Sequence, residues 1–217
     1  MQLGFIFKED IRGGRGSSSG AGEGMLGRSS GGGQIFSSTP IGTAIANGAG
    51  LYANEIQNAR DAMEREYGNV ISKAGLEIGD FGKSSALGMS DGYTVYMSDK
   101  FVKNNNLTKV MKDAEKSGFH PKIGKKTGAE AVTAHELGHF LSEQAMKKSK
   151  LNERQIVERA SKKIGVKVNN MAGLISGYAR YNYAETIAEA SADVFSNGRR
   201  ASKASKAIMA EIKSILK

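Results

Sequence analysis

Residues 131–141 read AVTAHELGHFL: two histidines four positions apart, with a glutamate directly after the first. Just upstream, Thr127-Gly-Ala-Glu130 has the spacing of a capping box, so a helix is predicted to start there. Residues four apart lie on one face of a helix. His135 and His139 can therefore each bring a ring nitrogen to within ~2.0–2.1 Å of one zinc ion. Glu136 is rotated by about 100° around the axis. It cannot join the two rings as an equivalent ligand, but it can lean over a water at the metal and act as a general base. Val132, Ala134, Leu137, Phe140 and Leu141 make the helix largely buried, and buried histidines need partners. Gly138, beside His139, leaves room for another element to come close.

Two histidines are half a site. The chain has no cysteine and three histidines, so thiolate chemistry is excluded and any metal must be held by nitrogen and oxygen. The metzincin extension needs Gly three residues after His139 and His six after; Ser142 and Ala145 stand there, which excludes that class. His120, the remaining histidine, lies next to Pro121 in a predicted loop and reads as a surface or packing residue. The third ligand is then expected to be a carboxylate. Glu143 shares the face of His139 one turn on, but three successive turns of one helix do not easily close a tetrahedron.

A second helix must cross the first, and YAETIAEASADVF (183–195) is the best candidate. Its acids Glu185, Glu189 and Asp193 recur every four residues among small and apolar neighbours. Such a stripe on a buried helix is costly unless it is paired with a cation or a metal; otherwise it faces water or meets basic helices. If the helices cross, Glu185 is the inner ligand. Glu189, one turn on, accepts a hydrogen bond from the far ring nitrogen of a ligating histidine. Asp193, more distant, caps a helix or pairs with a base.

Around these two helices the pattern reads as α+β. Helices are predicted from about 49 to 67, with Leu51, Ile56, Ala59 and Met63 on one face, and over 106–117, 128–147, 152–164, 183–196 and 199–216. Strands are predicted at 75–81, 85–90 and 92–98, with Asp91-Gly92 as a hairpin turn, giving a short mixed or antiparallel sheet. Residues 13–33 contain ten glycines, too little apolar surface to offset the entropy of ordering. Residues 1–40 are accordingly read as a flexible Gly/Ser-rich arm and 41–217 as the domain with a basic C-terminal helix. GAGEGMLG in the arm follows no strand, so it is not a dinucleotide loop. GFHPKIGKKTG (118–128) has the wrong glycine spacing for a phosphate loop.

The net charge of +9 gathers in 147–167 and 199–217. A nucleic-acid partner rests on that charge alone, since no aromatic platform or reader motif accompanies it. No run approaches the roughly 20 apolar residues of a membrane span, so no membrane partner is expected. The opening MQLGFIFKED has neither a basic n-region nor a long apolar core, so no secretory signal is expected. Localisation is open: a virion-associated protein or an effector exported by another route both fit.

Together, His135-Glu136-Leu137-Gly138-His139 and the later Glu-x-x-x-Glu helix resemble the gluzincin branch of zinc metallopeptidases. More narrowly, SGYARYNYAETIAEA (176–190) resembles the second motif of the anthrax lethal factor-like peptidase domains, in which a Tyr stands seven residues before the glutamate ligand and an Ala-Glu-Ala follows. The resemblance covers roughly residues 50–197. It implies a zincin-like fold, with a small mixed sheet, an edge strand, an active-site helix and several C-terminal helices. It also implies a zinc-dependent endopeptidase acting on a protein or peptide. In that reading His135, His139 and Glu185 bind Zn2+, Glu136 polarises the attacking water, and Tyr178 donates to the oxyanion, with Tyr181 and Tyr183 competing for that last role. The strand GYTVYMS (92–98) is the expected edge for pairing an extended substrate. The chain departs from the family at Ser191, where relatives carry a bulky aromatic. Domains of this kind resemble those attached to phage head proteins and toxins. A virion structural or packaging component that retains the fold, with an assembly partner holding the arm, is therefore the alternative expectation.

Overall fold

The computed structural model describes residues 35–36, 52–79, 86–98 and 107–217, a mostly helical α+β arrangement with a small mixed sheet. The strands are β1 (Ile35–Phe36), β2 (Gly75–Gly79), β3 (Gly88–Ser90) and β4 (Thr94–Ser98), in the order β1-β2-β4-β3. β2 and β4 run parallel, with Leu76 opposite Val95, whereas β3 runs antiparallel to β4, with Met89 opposite Tyr96. β1 pairs with β2, so the sheet includes two residues from the stretch read as the arm. The rest of that arm, and Leu51 of the predicted first-helix face, lie outside the described residues.

Helices follow in the order α1 (Ala53–Tyr67), α2 (Asn69–Ser72), α3 (Leu107–Lys116), α4 (Gly128–Ser149), α5 (Glu153–Lys163), α6 (Val168–Met171), α7 (Tyr183–Asn197) and α8 (Lys203–Leu216). α1 buries Ile56, Ala59 and Met63, the three-and-four spacing of a helix with one apolar stripe. α4 is different: from Gly128 to Leu141 it is buried nearly all round, and it packs against α1, α3, β3, α7 and α8. It is the axis of the domain. Its start carries the predicted capping box, with Thr127 Oγ1 accepting from Glu130 N and the Glu130 carboxylate accepting from Thr127 N.

The hairpin between β3 and β4 closes through Gly92 at φ 80°, a conformation that suits glycine, while Asp91 Oδ1 accepts from Tyr93 N at 2.9 Å and Thr94 N at 2.7 Å. Gln144 Nε2, on α4, donates to Gly92 O at 2.7 Å and pins this turn to the central helix.

This hairpin corrects the expected edge. β4, within the stretch 92–98, is interior, because β2 takes its free side in parallel. Among the described residues the edge on that side is β3. The last helix also differs from expectation. A short 3-10 turn, Gly198–Arg200, precedes it, and α8 starts afresh at Lys203 with Ser202 Oγ accepting from Ser205 N.

Candidate metal centre

α7 lies across α4, and the two helices approach closely at Gly138. A Cβ at that position would sit 2.6 Å from Ser191 Cβ and 2.9 Å from Ala188 Cα, so no larger residue fits without pushing the helices apart. Ser191, the departure from the family pattern, is the facing half of this contact; its Oγ donates to Ala134 O at 2.7 Å. A small pair, Gly138 with Ser191, is what brings the two acid- and histidine-bearing faces together.

At that crossing Glu185 Oε2 lies 3.2 Å from His135 Nε2 and 3.5 Å from His139 Nε2. One ligand atom from each of the three residues falls within 4.8 Å of the others. Donors at ~2.0–2.1 Å from a tetrahedral centre stand ~3.3 Å apart, which the two measured edges match. The donor set, two imidazoles and a carboxylate, is one that zinc takes in catalytic sites. Glu185 is buried, and a buried carboxylate needs a cation or strong donors. Burial alone would raise its pKa, but the two histidines outweigh burial and hold it below the usual carboxylate range.

Glu189, fully buried one turn further along α7, receives the other side of the same ring: His135 Nδ1 lies 2.9 Å from its Oε1. Ser176 Oγ donates to Oε2 at 2.6 Å. Against the effect of burial, His120 and His135 hold the Glu189 carboxyl down at about 2. For His135, burial alone would lower the pKa, but Glu185 and Glu189 hold it well above the ordinary value. Asp193 is the capping member of the stripe. It accepts from Ser202 N at 2.9 Å, Ser205 Oγ at 2.6 Å and Asn197 Nδ2 at 2.9 Å, fastening α7 to the start of α8.

Glu136 is buried, and its side chain lies against the β3 backbone: a Cβ at Gly88 would be 2.5 Å from Glu136 Cγ and 2.6 Å from its Oε1. Burial raises its pKa, partly countered by the two histidines. An apolar pocket lined by Leu87, Met111, Ile123 and Val132 adjoins Glu136 and His135. Tyr178 is fully buried on a 3-10 turn (Tyr178–Arg180), with its ring centroid 6.0 Å from that of His135. Burial, then the charge of Glu185 and a hydrogen bond to it, pushes the phenol pKa well up. Of the two rival tyrosines, Tyr181 stands next to Tyr178, with ring centroids 5.8 Å apart, but faces outward. Tyr181 is 63% exposed, and Tyr183 Oη pairs with Asn169 Oδ1 at 3.3 Å.

His120, expected from its loop to be a surface or packing residue, is not at the surface: its ring packs against Phe119 and Tyr178, with centroids 5.1 and 5.4 Å away. It is buried, and its Nδ1 lies 2.8 Å from Glu189 Oε1, the same oxygen that His135 uses. Comparison with protein-family models, with curated proteins and with solved structures finds no match to this chain. No helix among the described residues is long and apolar enough to cross a membrane.

Proposed function

We propose that this chain is a zinc-dependent metallopeptidase of the gluzincin type, hydrolysing peptide bonds at the His135–His139–Glu185 centre. The observation that carries the reading is the convergence of Glu185 Oε2 on both Nε2 atoms at 3.2 and 3.5 Å, the edge lengths of a tetrahedral site. Zinc bound there supplies a Lewis acid for the substrate carbonyl and makes water acidic enough to react near neutral pH.

The chain's own groups do the rest. Glu136, buried and with a raised pKa, accepts the proton of the attacking water and passes it to the leaving amine. Its elevated pKa favours the first of these steps, since a stronger base takes the water's proton more readily. Tyr178, whose pKa is pushed up, stays a neutral O–H donor at physiological pH and can turn from Glu185 to an oxyanion at the same centre. The substrate backbone pairs with the outer side of β3, the edge that lies against Glu136 among the described residues.

Metal analysis with a matched variant tests this. The full chain should bind about one zinc, and Glu136→Gln should keep the metal while peptide hydrolysis falls by about 100- to 10,000-fold, the usual contribution of a general base. If the wild-type chain takes up no zinc from metal-replete buffer, the reading fails. If zinc binds and no member of a broad peptide library is cut, a structural role for the fold replaces the enzymatic one.

A further inference from the structure

We propose that His120 is a positioning residue for the metal centre: by sharing Glu189 Oε1 with His135, it fixes the orientation and tautomer of that ligand. The proposal rests on the zinc reading of His135, His139 and Glu185.

The two Nδ1 atoms stand 2.8 and 2.9 Å from one carboxylate oxygen. An ionised carboxylate only accepts, so each contact requires the proton on Nδ1. For His135 that leaves Nε2, the nitrogen facing Glu185, as the one at which a metal would take the place of a proton. The lock holds only if Glu189 cannot turn. Ser176 Oγ fixes its Oε2 at 2.6 Å, and His120 fixes its Oε1 at 2.8 Å beside His135. Glu189 is fully buried, and a carboxylate short of a donor reorients toward the donors that remain.

His120 is itself rigidly mounted. Phe119 N donates to Ala114 O at 2.9 Å and His120 N to the same oxygen at 3.3 Å, which ties the loop to the end of α3. On its far side Gly177 N donates to Gly118 O at 2.8 Å and Tyr178 N to Phe119 O at 2.9 Å. Asn197 Nδ2, at the end of α7, donates to Lys122 O at 2.6 Å. The same loop therefore carries the His120 imidazole and, through two backbone hydrogen bonds, holds the 3-10 turn that begins at Tyr178. The Phe119 ring also packs against Tyr178, with centroids 5.3 Å apart. A loop held at three points is suited to aiming side chains; a histidine there whose only task was to fill space would not need its ring nitrogen on a carboxylate.

The test uses the full chain and two polar variants. In His120→Asn the amide nitrogen takes the place of Nδ1, whereas in His120→Gln it lies nearer the place of Nε2. Metal affinity is read by chelator competition with zinc, and ligand geometry by the visible absorption of the cobalt-substituted chain. His120→Gln should bind zinc about 10- to 100-fold more weakly, the usual cost of disturbing an outer-shell partner, with an altered cobalt spectrum. His120→Asn should recover wild-type affinity to within about threefold and the wild-type spectrum. A merely structural histidine would make the two variants alike. If both match wild type, or both lose affinity equally, His120 does not position the site. If the wild-type chain binds neither zinc nor cobalt, the reading of the centre itself falls, and this proposal falls with it.

Discussion

Gly138→Ala probes a close approach in the crossing that brings His135, His139 and Glu185 together. The new Cβ would lie 2.6 Å from Ser191 Cβ and 2.9 Å from Ala188 Cα, against the ~3.5–4.0 Å of an ordinary carbon–carbon contact. The shortfall is about 1 Å, and Ala188 Cα is backbone, so no rotamer change relieves it. α4 and α7 must separate. Overpacking of this kind costs about 1–3 kcal/mol, and replacing glycine by alanine inside a helix returns about 1 kcal/mol. The metal-free chain should therefore lose no more than about 2 kcal/mol, a fall in Tm of up to about 8 °C for a domain of this size. The site should suffer more than the fold. His135 and His139 move with α4 and Glu185 with α7, and metal–donor distances tolerate only about 0.2 Å. Zinc affinity should fall by at least the 10- to 100-fold that a disturbed outer shell costs, about 1.4–2.7 kcal/mol. Calorimetry with and without zinc, combined with chelator competition, separates the two effects. At a fixed, saturating zinc concentration the variant's Tm should fall further below wild type than it does in the absence of metal. An unchanged zinc affinity with a lowered metal-free Tm would show that the helices can part without the centre feeling it, and the argument from this contact would be wrong.

Two other substitutions separate catalysis from stability. Gly88→Ala drives a methyl group into the Glu136 side chain, which is buried and has little room to turn away; hydrolysis should fall by about 100-fold or more while zinc stoichiometry is kept, and activity within a few-fold of wild type would show that Glu136 does not need its place against β3. Asp193→Ala strips three hydrogen-bond donors of their carboxylate at the α7–α8 junction. It should cost about 2–3 kcal/mol, or about 4–12 °C in Tm, with zinc affinity nearly unchanged in the folded protein; an affinity loss as large as that of the Gly138 variant would place Asp193 in the metal network instead.

The features of the site that sequence made legible are those a helix repeats. His135 with His139, and Glu185 with Glu189, are visible because four residues return a side chain to the same face. The capping box at Thr127 is visible because both of its partners are local. β3 as the edge was not legible: each strand of a hairpin reads alike, and which one lies outside depends on β2 pairing in parallel with β4, a contact between distant stretches. His120 was hidden for the same reason. It reaches Glu189 because Gly118 and Phe119 pair with Gly177 and Tyr178 across some sixty residues of chain, and no period announces such a pairing. One signal was nonetheless present. A buried Glu189 has two oxygens to satisfy, and a single histidine supplies a donor for only one. For Asp193, the SKAS stretch at 202–205 already offered serine donors at a helix start, so a cap was the better of the two readings.

The crossing of two four-residue spacings also explains why one helix can supply both an inner carboxylate and an outer one. Successive turns of α7 are about 5.4 Å apart along its axis, and the imidazole of His135 lies between the carboxylates they carry. Glu185 meets its Nε2 at 3.2 Å and Glu189 meets its Nδ1 at 2.9 Å, so the ring is gripped at both nitrogens by a single rigid element. His139, one turn along α4, has its Nε2 3.5 Å from the same Glu185 oxygen and keeps 16% of its side chain exposed. The centre is therefore asymmetric by construction. His135 forms its fixed wall, backed by Glu189, Ser176 and His120, while His139 stands on the side open to solvent, from which a metal and a substrate would arrive. A substitution behind His135, at His120, acts on a ring with no room to adjust, and one at Gly138 acts on the spacing of the two helices, which is why residues outside the ligand set are expected to govern how tightly a metal would be held.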